Sequence, residues 1–171
     1  MIILISGSSH TGKTLLAQRL LEKYNYPYLS IDHLKMGLIR SKNTYLTPED
    51  SDEKLIEYLW PIVREIIKTN IENDQNLIVE GCYIPFNYKE DFKGEYLDKI
   101  KYVCLIMTNK YIDEHYNDIV KFENRIEKRL YKADISMKKL KEENENNLKM
   151  CKKYNNEYIL INEKYDVDFK I

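Results

Sequence analysis

Eight consecutive residues near the start of the chain, Gly7-Ser8-Ser9-His10-Thr11-Gly12-Lys13-Thr14, limit what it can fold into more than any other stretch. They satisfy G-x-x-x-x-G-K-[ST], follow the apolar run Ile2 to Ser6 and open a segment of helical period from Lys13 to Tyr24. A strand that turns through glycines into a helix aims successive main-chain N–H groups into one concavity, with the positive end of the helix dipole behind them. Glycine is required because a Cβ would obstruct that curl. The four fixed positions would coincide by chance in roughly one chain of this length in a hundred at average composition. The loop is therefore read as a polyphosphate cradle. Lys13 reaches the outer phosphates and the Thr14 hydroxyl ligates magnesium, so ATP and Mg2+ are the expected cofactors. Gly7, Ser8, Ser9, His10, Thr11, Gly12, Lys13 and Thr14 are the expected nucleotide-binding residues, with the backbone of His10 mattering more than its imidazole.

Whatever surrounds this loop must be small. At 171 residues the chain has room for one α/β domain with its own core, expected to span 1–171. Lys plus Arg is 27 against 28 for Asp plus Glu, and a net charge of −1 provides no global field to gather nucleic acid or an anionic membrane. A small-molecule partner is expected, on a monomer or homodimer. Cys82, Cys104 and Cys151 form no C-x-x-C pair, which argues against a disulfide framework or a zinc site and points to the cytoplasm. The apolar start Met1 to Ile5 is too short for a signal-peptide core or a membrane span.

Short apolar runs alternate with longer helical patterns, as when crossover helices cover a parallel sheet. Five strands are expected, Ile2 to Ser6, Tyr28 to Ile31, Leu77 to Glu80, Tyr102 to Met107 and Tyr158 to Ile161. A helix is expected from Thr47-Pro48-Glu49-Asp50 through Thr69, with Thr47 as its cap, Leu55, Leu59, Ile62 and Ile66 as its buried stripe, and a kink or break at Pro61. Ile119, Phe122, Ile126 and Leu130 mark a later helix; Met137, Leu140, Leu148 and Cys151 mark a more polar one. The segment after the third strand offers Glu80-Gly81 rather than D-x-x-G, and Asn109-Lys110-Tyr111-Ile112-Asp113 is one residue too long for N-K-x-D. A GTP switch is disfavoured on both counts.

Four features together resemble the small P-loop kinases, a group that includes shikimate and gluconate kinases, nucleoside monophosphate kinases, and phosphoglycerate-kinase-like and zeta-toxin-like phosphotransferases. They are the glycine loop, Tyr28-Leu29-Ser30-Ile31-Asp32, Leu77-Ile78-Val79-Glu80-Gly81, and Arg125 with Arg129. The resemblance implies a three-layer α/β fold: a five-stranded parallel sheet of order 2-3-1-4-5, helices on both faces and a small helical lid, about 117–136. It implies an ATP-dependent phosphotransferase whose acceptor lies over the ends of strands two and three. Asp32, read as standing at the end of the second strand, would orient or deprotonate an acceptor hydroxyl, or cap a helix beginning at His33. Glu80 would hold magnesium at a Walker-B position, or face solvent at a strand end, and Gly81 would let the chain turn there beside the substrate. Arg125 and Arg129, one helical turn apart, would stabilise the transferred charge. Arg40, Arg64 and Lys35 are candidates to grip the acceptor, and the aromatic loop from Cys82 to Phe92 is expected to line its pocket. A nucleoside or nucleotide kinase is the alternative enzyme; a nucleotide-binding regulator with slow or no turnover is the alternative of another class.

Overall fold

A computed structural model describes residues 1–121 and 136–170, and it contains one five-stranded sheet in which every pairing is parallel, in the order β2-β3-β1-β4-β5. The strands are β1 Ile2–Gly7, β2 Tyr28–Ser30, β3 Leu77–Glu80, β4 Ile100–Met107 and β5 Tyr158–Ile161. Between them run α1 Lys13–Tyr24, α2 Ile31–Arg40, α3 Asp52–Glu72, the single turn α4 Glu95–Asp98, α5 Asn109–Lys121 and α6 Met137–Lys153. β1, β3 and β4 are buried on both faces, which is why they read as continuous apolar runs instead of alternating ones.

Alternation within each strand divides the core in two. Ile3, Ile5, Ile78, Val103 and Leu105 pack under α1 and α5, with Val167 and Phe169 closing that side. Ile2, Leu4, Val79, Tyr102, Cys104 and Ile106 face the opposite layer, which contains α3, Ile31 of α2 and the aromatic residues Tyr83, Tyr88 and Phe92. Asn25 ends α1 with φ of 57° while its N–H bonds to the Leu21 carbonyl, so an asparagine in the left-handed region stops the helix and starts the turn into β2.

Two helices differ from the sequence expectation. α3 begins at Asp52 with Ser51 as its cap, the Ser51 hydroxyl accepting from the Lys54 N–H at 3.4 Å. Thr47 instead closes a separate turn, in which its N–H donates to the Asp50 carboxylate at 2.8 Å and the Asp50 N–H bonds back to the Thr47 carbonyl. The helix does not break at Pro61, which is exposed. Beyond it the buried positions are Val63, Ile67 and Ile71, so Ile62 and Ile66 lie at the margin of the core; Trp60, which is not part of the expected stripe, is buried and donates to Asp91 at 2.7 Å. α2 begins at Ile31 rather than His33, because Ile31 is fully buried and the strand ends one residue earlier. Among the described residues no helix is long and apolar enough to cross a membrane.

Candidate nucleotide and acceptor site

The glycine loop leaves the sheet at its centre, where Gly7 pairs with Leu105 of β4, and delivers the chain directly into the first turn of α1. Gly12 has φ of 85°, a conformation that side chains rarely adopt, and a Cβ there would collide with the Tyr165 phenol. The Tyr165 hydroxyl donates towards the carbonyl oxygens of Thr11 and Gly12, each at 3.3 Å. Burial raises the Tyr165 pKa to about 12, so the phenol remains a donor at neutral pH. Inside the loop, Thr11 Oγ1 and Lys13 Nζ both donate to the Ser8 carbonyl, at 2.9 and 2.8 Å. The Ser8 hydroxyl in turn accepts from Asn147 of α6 at 2.9 Å. Ser8 and Thr11 are buried, Ser9, His10 and Thr14 half-buried.

Lys13 is 8% exposed. Burial alone would lower the pKa of its ammonium, but the Cys82 thiol and the Glu80 and Asp32 carboxylates outweigh it and the net shift is upward. A buried cation held charged by flanking acids is what a phosphate-binding lysine needs: it is available to a stronger anion at all physiological pH values. Glu80 is 2% exposed, so the sequence alternative of a solvent-facing strand end does not hold. The residue is drawn inward because β3 lies between β2 and β1, with Glu80 in register with Ser30 and Ile5.

The chain bends at Gly81 and Cys82, as expected, but without a positive φ at Gly81. Its glycine identity follows from packing, since a Cβ there would lie 3.0 Å from the Ile31 Cβ, tighter than such contacts normally are. That close approach brings the first turn of α2 beside the end of β3. Asp32 lies in this turn and not at the end of β2, with Lys35 Nζ 2.8 Å from its Oδ1.

Arg64 donates to Glu65 at 2.8 Å and to Asp91 at 3.1 Å, tying α3 to the short 3-10 turn Tyr88–Asp91. Arg40 ends α2, exposed. Arg125 and Arg129, and with them most of the expected lid, fall outside the described residues. Sequence reasoning did not single out Asn147 or Tyr165, which reach the loop from α6 and from the segment after β5. Glu143 of α6 is half-buried; burial raises its pKa, Lys139 and Lys13 oppose that and Asp52 adds to it.

The cradle fits a triphosphate in its backbone conformation, its buried lysine and its helix terminus. Thr14 and Glu80 offer a hydroxyl and a carboxylate oxygen, the hard ligands magnesium takes beside phosphate oxygens. Among the described residues no cluster of three or more His, Cys, Asp or Glu is placed to hold a metal ion.

No protein-family profile matches the chain, and no curated protein matches it in sequence. Solved structures do match in fold. A shikimate kinase from Bacteroides thetaiotaomicron is 16% identical, with 95% of this chain and 85% of that chain covered and a TM-score of 0.56. An unliganded sugar kinase from Janibacter is 13% identical over 94% of this chain and 84% of its own, TM-score 0.52. Deoxyadenosine kinase from M. mycoides, solved with the products dCMP and a flexible dCDP, is 13% identical over 94% and 90%, TM-score 0.51. Sheet order, glycine loop and these neighbours agree: the chain has the fold of the small P-loop kinases.

Proposed function

We propose that the chain is an ATP-dependent phosphotransferase that moves the γ-phosphate to a hydroxyl of a small molecule. The observation that carries this reading is the buried ammonium of Lys13 at the start of α1, bonded to the Ser8 carbonyl inside the glycine loop, its charge favoured by Cys82, by Glu80 of β3 and by Asp32 of α2. A loop that only held a nucleotide would need the lysine and the amides alone. A second carboxylate beside the one suited to magnesium is what an incoming hydroxyl requires.

In this reading Lys13 exchanges the Ser8 carbonyl for phosphate oxygens, Thr14 and Glu80 hold the ion, and Asp32 accepts the hydrogen bond of the attacking hydroxyl. Phosphoryl transfer passes through a loose transition state, so positioning and charge stabilisation account for most of the rate and a weakly basic carboxylate suffices. Arg125 and Arg129 supply the closing cations. The acceptor is a small soluble molecule, and the site acts in the cytoplasm as a monomer or homodimer.

The test is ADP release with Mg-ATP and pooled sugars, organic acids, nucleosides and nucleotides, run beside Lys13→Ala and Asp32→Asn. Acceptor-stimulated release is expected from the wild type. Lys13→Ala abolishes it together with nucleotide binding, whereas Asp32→Asn lowers turnover by about 10²- to 10⁴-fold with Mg-ATP affinity retained. Full turnover by Asp32→Asn removes Asp32 from the reaction. Nucleotide binding with no pool stimulating release would favour a nucleotide-binding regulator.

A further inference from the structure

Two cysteines lie together in the core, and no step of the proposed reaction uses either. Cys104 of β4 and Cys151 of α6 are free thiols, fully buried in the same apolar layer. The backbone draws them together through the turn after α6. The Cys104 N–H donates to the Glu157 carbonyl at 3.0 Å, and the Asn156 N–H donates to the Cys151 carbonyl at 2.9 Å, so neighbouring residues of that turn are fastened to both cysteines. The two thiols lie within hydrogen-bond reach of each other. A single buried cysteine packs as a small hydrophobe, but two in contact can also exchange protons for a sulfur–sulfur bond.

The surroundings divide the roles between them. The hydrogen bond from Cys104 outweighs burial at Cys151 and lowers its pKa, whereas the same contact together with burial pushes the Cys104 thiol up. Cys151 is therefore the sulfur that ionises first and Cys104 the one that keeps its proton. The Tyr102 hydroxyl is buried, makes no hydrogen bond of good geometry and faces both sulfurs, so it is a donor waiting for a thiolate. Tyr102 also lines, with Tyr88, Asn155 and Glu157, a cavity of about 370 Å³, which brings solvent to the other side of that residue.

We propose that Cys104 and Cys151 are a peroxide-sensitive dithiol whose closure to a disulfide fastens α6 to β4 and loosens the glycine loop. The Cys151 thiolate attacks one oxygen of the peroxide; an S–O bond forms, the O–O bond breaks, and the hydroxide released is protonated to water. The Cys104 sulfur then attacks Cys151; the S–S bond forms, the S–O bond breaks, and a second water leaves with the Cys104 proton. Two electrons pass from the dithiol to the peroxide. Closure is felt at the loop because Asn147, one turn before Cys151 on α6, holds the Ser8 hydroxyl at 2.9 Å, and Ser6, in register with Cys104, leads into Gly7. The sulfurs must approach to about 2.05 Å, which draws the end of α6 towards the sheet and pulls Asn147 off Ser8.

The first arm of the test needs no nucleotide. The intact chain is treated with hydrogen peroxide, denatured in N-ethylmaleimide and digested. The expected product contains a peptide joining Cys104 to Cys151, which dithiothreitol separates into two peptides with free thiols. Any other fate of these two sulfurs overturns the proposal. The second arm rests on the nucleotide reading given under Proposed function. Oxidation raises the Kd for Mg-ATP about fivefold in the wild type, the size of one lost bracing hydrogen bond, and dithiothreitol reverses the rise. Cys104→Ser and Cys151→Ser keep their untreated Kd under the same peroxide; should either fail to fold, Cys151→Ala gives the same readout. An equal rise in those variants traces the effect to Cys82, which acts on the Lys13 charge, and overturns the proposal, as does an unchanged Kd once the disulfide has closed. Failure of the reduced protein to bind Mg-ATP sinks the nucleotide reading instead, and the peptide map then decides the disulfide alone.

Discussion

His10 occupies the left-handed region with φ of 66°, in the middle of a loop whose other constrained positions are glycines. A side chain in that conformation costs about 1 kcal/mol or more relative to glycine, and such strain persists only where the surroundings enforce it. The enforcement is visible: Thr11 and Lys13 both bind the Ser8 carbonyl, and Asn147 holds the Ser8 hydroxyl, so the loop is braced on either side of His10. If the backbone of His10 matters more than its imidazole, His10→Gly raises the free energy of unfolding by about 1 kcal/mol and leaves the Kd for Mg-ATP within about threefold. Urea denaturation and calorimetry check both. A large loss of affinity would assign the imidazole a direct role at the phosphates. The residues that brace this loop could not be read from the sequence, since Asn147 and Tyr165 lie more than a hundred positions from their partners and no periodicity marks them. The motif itself was legible because its chemistry is carried by contiguous backbone.

At the scale of elements, α3 carries the clearest mismatch between local and global preference. Proline inside a helix removes a backbone donor and crowds the preceding turn, yet α3 continues through exposed Pro61 because Leu55, Leu59, Trp60, Val63, Ile67 and Ile71 anchor it on both sides. Pro61→Ala is therefore expected to stabilise the protein by about 1–3 kcal/mol, raising Tm by several degrees in a chain of this size. α6 shows the opposite case, a polar residue placed deep in the structure. Asn144 is 1% exposed, accepts from the Met107 N–H at 2.8 Å and donates to the Leu140 carbonyl at 2.8 Å, so it ties α6 to the end of β4. Asn144→Leu leaves the Met107 N–H without that partner and should destabilise by about 1–3 kcal/mol in urea denaturation. The limits of β1, β3 and β4 were legible to within about two residues because burial on both faces gives uninterrupted apolar runs. The start of α2 and the stripe of α3 were not. Ile31 fits a strand and a helix equally well, and the choice among Ile62, Val63, Ile66 and Ile67 is made by the position of the sheet.

Across the whole molecule, tyrosines lie both in the core and against the nucleotide loop, and their ionisation gives a pH dependence with a definite sign. Tyr88 is 3% exposed and stacks on Tyr102 with ring centres 4.9 Å apart; burial, with Glu157 adding to it, raises its pKa from 10.0 to about 12. Tyr165 is raised to about the same value. For both groups the folded state holds the proton more tightly than the unfolded state. Their contribution is therefore complete below pH 10 and disappears as pH climbs towards 12. Each phenol can add up to about 1.4 kcal/mol of lost stability per pH unit in that window, and half-buried Tyr165 adds less because water screens it. Urea midpoints from pH 8 to 11.5 should be flat and then fall, and Tyr88→Phe, which keeps the stacked ring and removes the titrating group, should flatten the descent. Equal slopes for the two proteins would mean that Tyr88 is not what senses alkali. Tyr165 adds a functional counterpart, because its phenolate would face the Thr11 and Gly12 carbonyl oxygens to which it now donates. Mg-ATP affinity should then fall over the same pH range, and Tyr165→Phe should remove that fall while weakening binding modestly at pH 8.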